Sequence, residues 1–82
     1  MKQVAVGLPT FTRTVLVDDS ENVHKIKYDP ITASMLVDFI SGRSYLYRGV
    51  NSTDFGRLVS ADSIGSYLNK NIKPRYSYRE VK

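Results

Sequence analysis

Residues 34–48 read SMLVDFISGRSYLYR, and the register chosen for this stretch decides the fold. In one register, Ile40-Ser41-Gly42 forms a three-residue loop, a type I turn closed by a glycine in the left-handed region. Val37 then faces Tyr45 and Met35 faces Tyr47, and Met35, Val37, Phe39, Tyr45 and Tyr47 gather on one side of a β-hairpin. In the other register, a two-residue Ser41-Gly42 loop sets the tyrosines opposite Asp38 and Leu36 and splits the apolar set between the two faces. Burial of apolar surface favours the three-residue loop.

The segments on either side extend this hairpin into a domain. Upstream, VHKIKYD (23–29) alternates Val23, Lys25 and Lys27 with His24, Ile26 and Tyr28 until Asp29-Pro30 breaks it, which predicts a strand. Before it, TRTVLV (12–17) alternates Val15 and Val17 against Thr14 and Leu16 and ends in the polar turn DDSEN (18–22), a further strand with its loop. Downstream of Val50 the apolar period changes from two to about 3.6 residues. Asn51 or Ser52 can cap a helix there, with Asp54 in its first turn and Phe55, Leu58 and Val59 along its apolar stripe. Asp62 or Ser63 caps a second helix, with Ile64, Tyr67, Leu68 and Ile72 on one side until Pro74 stops it. Gly56 and Gly65 cost helix propensity, so each is expected where a helix approaches its neighbour closely.

The expected fold is α+β: a small antiparallel β-sheet with two short α-helices packed on one face. Residues 1–22 read as an N-terminal strand extension and possible oligomerisation element, and residues 23–82 as the domain with its basic C-terminal segment.

A chain of 82 residues with 41% hydrophobic and 24% charged side chains has the composition of one small folded domain. It has no cysteine, which removes disulfides, thiolate metal sites and cysteine nucleophiles together. The apolar stretch in MKQVAVGLPTF is too short for a signal peptide, and no segment approaches the ~20 apolar residues of a membrane span. The expected location is therefore the cytoplasm. The net charge of +4 becomes informative once it is placed on the chain. Through residue 69 the cations and acids balance, whereas Lys70, Lys73, Arg75, Arg79 and Lys82 face only Glu80 in the final stretch. Such a cluster concentrates positive potential in one place.

The order of these elements resembles the KTSC domain, a family named for its occurrence at the C-terminus of some lysyl-tRNA synthetases. Its apolar strand, glycine turn and Tyr-x-Tyr look like Met35, Val37, Phe39, Gly42, Tyr45 and Tyr47. Its later helical part looks like Ala61, Ser63, Gly65, Tyr67, Asn69, Ile72-Lys73 and Tyr76. The resemblance spans roughly residues 23 to 79. Asn51 stands where the family usually has proline, and Leu68 where an aromatic residue is common. Through its synthetase context the resemblance implies RNA binding; it implies no activity.

No set of side chains for catalysis is recognisable. His24 is the only histidine, Asp18-Asp19 reads as a turn or helix cap, Ser63 has no nearby base, and a glycine-rich phosphate loop is missing. The expectation is a protein that binds without catalysing and that needs no metal or cofactor. Tyr45 and Tyr47, two apart on a strand, form either a stacking platform or a core pair beneath the helices with their hydroxyls at the rim.

The basic segment offers more. If KPRYSYREV (73–81) is extended, Arg75 and Arg79 share one face with Ser77 while Tyr76 and Tyr78 share the other. Asn69, Lys70 and Lys73 at the end of the second helix stand nearby, and Arg13 joins them if two copies meet through the N-terminal strand. Cations and rings so interleaved suit a phosphate-bearing nucleotide.

Three alternative ligands follow, of which the size of the chain and the placement of its charge favour the first. The first is a small cyclic or ADP-ribose-type nucleotide, sequestered by a homo-oligomer as in viral counter-defence. The second is RNA, for which a +4 cluster would cover about three to five phosphates. The third is a protein partner added at a sheet edge.

Overall fold

The computed structural model of the protein describes residues 11–17 and 22–81. The readings made above for residues 1–10, for residues 18–21 of the DDSEN loop and for Lys82 lie outside the described residues. Five strands follow one another in a single antiparallel sheet, β1 (Arg13–Leu16), β2 (Val23–Asp29), β3 (Ser34–Phe39), β4 (Ser44–Tyr47) and β5 (Tyr78–Val81), ordered as in the sequence. Between β4 and β5 come two helices, α1 (Ser52–Val59) and α2 (Ile64–Tyr67), the second running straight into a π-helical turn at Leu68–Ile72. The architecture is α+β, an open sheet with two short helices on one face.

The β3–β4 hairpin adopts the register that burial favours. Met35 pairs with Tyr47 and Val37 with Tyr45. Gly42 closes the loop at φ 97°, its N–H donating to Phe39 O at 3.0 Å, while Phe39 N–H donates to Arg43 O at 2.8 Å. At the other end of β3, the buried Asp29 carboxylate shapes the connection from β2, accepting from Ile31 N–H at 2.9 Å and from the Thr32 hydroxyl at 2.7 Å.

One strand departs from simple alternation. Val23 is fully buried together with Ile26 and Tyr28, three positions that period two would divide between faces. A β-bulge resolves the conflict. The pairing jumps from Val23↔Phe39 to Lys25↔Asp38, so His24 is extra and exposed, and Val23 rotates onto the core side.

Asn51 caps α1, its side chain accepting from Asp54 N–H at 2.8 Å, and Ser63 caps α2 by accepting from Ser66 N–H at 3.3 Å. The second helix does not stay α-helical to its end. Pro74 has no N–H to continue the ladder, and Lys73 N–H reaches five residues back to Leu68 O at 2.9 Å. Phe55, Leu58, Leu68 and Ile72 from the helices meet Ile26, Tyr28, Met35, Val37 and Tyr47 from the sheet in one core. The ring of Tyr28 stacks on Phe55 with centroids 4.3 Å apart, and its hydroxyl donates to Val50 O at 2.5 Å. Gly56, expected at a close approach, is not at one: a Cβ there would meet nothing within 4 Å.

Among the described residues, the sheet's other face carries no helix. Its central row runs Thr14, Lys27, Leu36, Leu46 and Arg79 across all five strands. No described helix is long and apolar enough to cross a membrane.

Candidate functional site

A groove of about 610 Å³ opens between the β3–β4 loop and the second helix. Phe39, Ile40, Ser41, Arg43 and Tyr45 form its sheet side. Gly65, Leu68, Asn69 and Lys73 form its helix side, and Asn22 and Val23 close one end. The local sequence explains the shape. Gly65 is buried without a side chain to fill the gap, and Asn69 and Lys73, four residues apart, project from the same side of the turn.

Rings line the sheet side and continue past it. Phe39 meets Tyr45 edge-on at 5.4 Å, Tyr45 stacks on Tyr78 at 5.5 Å, and Tyr78 lies tilted 5.0 Å from Tyr47. Lys73 Nζ sits over the Tyr78 ring, 5.9 Å from its centroid. These contacts hold a ring wall and a cation at a fixed spacing. Tyr47 lies deepest and is fully buried, which makes it a core residue and leaves the stacking platform to Tyr45 and Tyr78. Its hydroxyl is not at the rim, as a core tyrosine would prefer, but enclosed and, among the described residues, without a hydrogen-bond partner. Burial pushes that phenol up to about 12, with Tyr78 and Tyr45 adding in the same direction.

The basic segment divides into two parts. Residues 73–76 form a turn and bend, and the strand begins only at Tyr78, so the segment is not extended throughout and Arg75 and Arg79 do not share a strand face. Arg75 and Tyr76 turn instead toward α1. The Tyr76 hydroxyl donates to the Asp54 carboxylate, and the Arg75 guanidinium stands 3.5 Å from it. Asp54 is only 3% exposed, so it needs both partners. The Tyr76 phenol is raised first by that hydrogen bond, then by burial. Arg75 also lies over the Tyr76 ring at 5.8 Å.

The remaining expected residues are spread out. Lys70 is exposed on the π turn outside the groove lining. Arg79 pairs with Leu46 and so points to the helix-free face, opposite to Tyr78. Arg13 is on β1, at the far edge from β5 and four strand spacings away, about 19 Å. Within one chain the structure therefore brings together Tyr45, Asn69 and Lys73, with Tyr78 adjoining. Sequence reasoning missed Phe39 and Arg43 as lining residues. Phe39 was legible as a member of the hairpin's apolar face, whereas Arg43 reaches the groove only because of how the loop closes. Its guanidinium is 3.9 Å from Glu80 in an exposed pair, a weak hold in water.

The comparisons with known proteins agree with this fold. The profile of the KTSC domain family matches residues 19–76. A protein of Tsukamurella paurometabola is 33% identical over 58 residues, covering 71% of this chain and 87% of the relative. The crystal structure of a KTSC domain protein from Yersinia pestis superposes with a TM-score of 0.77 at 27% identity, covering 85% of this chain and 97% of that one. The chain belongs to the KTSC domain family. The two edge strands, β1 and β5, fall outside the matched segment, so Tyr78 and Arg79 are not among the residues the family profile covers.

Proposed function

We propose that the protein binds a small phosphate-bearing nucleotide in the groove between the β3–β4 loop and the α2–π turn, and does so without chemistry. The observation that carries this reading is that Tyr45 and Lys73 line one groove and both contact Tyr78. A base stacks on the partly exposed Tyr45 ring, and the phosphate meets the Lys73 ammonium, with Arg43 and Asn69 as further donors. The groove's volume of about 610 Å³ lies within the range of small-ligand sites, roughly 300–1,000 Å³. Binding without turnover is sequestration: it lowers the free concentration of the nucleotide.

RNA is the second reading. Lys70, Arg75 and Arg79 are exposed outside the groove and could follow a longer backbone. The helix-free face argues against base stacking there, since its central row holds two cations and no ring. Salt separates the two readings. A strand crossing three to five phosphates gives a log–log slope of about −2 to −3.5, and a ligand with one or two phosphates a shallower one.

The experiment is a thermal-shift panel of AMP, ADP-ribose, cyclic di-AMP, tRNA and single-stranded RNA. A ligand specific to the native state raises the melting temperature by mass action. The proposal expects the rise with a small nucleotide. A rise with RNA alone would replace it by the second reading.

A further inference from the structure

We infer that β1 is a dimerisation strand, pairing antiparallel with β1 of a second copy to join the two sheets into one. This pairing is independent of what the groove binds, and the direction of the backbone groups supports it. Val17 N–H donates to His24 O at 3.0 Å, and the register continues through Val15↔Ile26 and Arg13↔Tyr28. In an antiparallel pair these alternate residues turn their N–H and C=O toward β2, so those of Thr14 and Leu16 point away from it. Among the described residues, no strand lies on that side.

The edge has the character of a strand meant to be covered. Thr14, Val15 and Leu16 are β-branched or apolar, and Leu16 is 72% exposed. β1 is short and opens on the exposed Arg13, but no charge, proline or bulge falls among these three residues. A two-fold axis through Val15 sets Thr14 against Leu16 of the partner subunit, and Leu16 against Thr14 of the partner subunit. Every outward backbone group of those two residues then finds a partner, and the two Val15 side chains meet at the centre. The opposite edge fails the same construction. Arg48 N–H donates to Ser77 O at 3.0 Å, which leaves Tyr78 and Glu80 facing outward on β5. Pairing both of these groups about a two-fold axis sets Arg79 against its own copy, a direct repulsion. The symmetric solution therefore falls on β1, and it closes as an isologous pair without propagating. It keeps the two grooves on separate protomers, so Arg13 contributes to neither.

Light scattering over a concentration series tests this. The expected mass of the parent protein is twice that of the chain. Thr14→Pro and Leu16→Pro remove outward N–H groups that β2 does not use, so each is expected to give a monomer with an unchanged circular dichroism spectrum. Glu80→Pro, at the other edge, is expected to remain a dimer. A monomeric parent at all concentrations, or a dimeric Thr14→Pro variant, overturns the inference. Amide exchange on the parent gives a second test that no variant can spoil by misfolding. The Thr14 and Leu16 amides are expected to gain protection as concentration rises, and protection independent of concentration, or none, overturns the proposal.

Discussion

The Tyr76 hydroxyl donates to the buried carboxylate of Asp54, 22 residues earlier in the chain. This bond closes the segment after the π turn onto the first turn of α1, and Arg75 completes it from the solvent side. Tyr76→Phe is expected to cost about 1–3 kcal/mol, because a buried acceptor loses its donor. In an Asp54→Ala background the same change is expected to cost far less, since the two residues act as one unit. Urea denaturation of the four proteins in this cycle measures the coupling. Additive costs would show that the bond contributes nothing of its own.

Tyr47 governs the alkaline limit. Its phenol is raised to about 12 by burial, and those of Tyr28 and Tyr76 are also raised. A phenol that resists ionisation in the folded state supports the fold fully below its unfolded value of about 10, and that support drains away as pH climbs from about 10 toward 12. For Tyr47 the loss is on the order of 2 kcal/mol. Stability measured by denaturation between pH 8 and 12 should fall over this window. Because the Tyr47 hydroxyl has no partner among the described residues, Tyr47→Phe is expected to be neutral or stabilising by about 1 kcal/mol and to flatten the alkaline decline. A destabilisation above about 2 kcal/mol would mean that the hydroxyl is satisfied after all.

Gly56 offers a direct gain. It stands inside α1, where a Cβ would meet open space, so its flexibility is a cost with no packing return. Gly56→Ala is expected to raise stability by about 0.5–1 kcal/mol, readable as a higher urea midpoint with an unchanged slope.

The hairpin and both helices could be read from the sequence because each is specified locally. Only one register of residues 34–48 collects Met35, Val37, Phe39, Tyr45 and Tyr47, and Asn51 and Ser63 announce their helices by cap chemistry. What escaped was set by tertiary context. The bulge at His24 exists because Val23 packs beneath the helices, which strict alternation hides. The basic segment looked extended because its tyrosines alternate, yet Asp54, distant in sequence, draws Arg75 and Tyr76 to α1 and leaves only the last four described residues as strand. The groove is likewise a product of packing, since the loop carrying Arg43 and the helix carrying Asn69 and Lys73 meet only when the sheet is assembled.

The division of the basic segment yields opposite expectations for two neighbouring cations. Arg75→Ala is expected to lower the melting temperature of the free protein while leaving any ligand-induced rise in place, since its guanidinium serves Asp54. Lys73→Ala is expected to do the reverse, because among the described residues no carboxylate lies within ion-pairing distance of it. Differential scanning fluorimetry with and without nucleotide reads both effects.

Whether the groove beside Tyr45 and Lys73 holds a phosphate-bearing nucleotide is decided by calorimetric titration of the parent, Lys73→Ala and Tyr45→Leu with the nucleotide that gives the largest thermal shift. One site per chain is expected in the parent, with affinity reduced about 10-fold or more in each variant, as loss of a charged hydrogen bond or a stacked ring requires. Unchanged affinity in both variants, or no heat from any nucleotide tried, would contradict it.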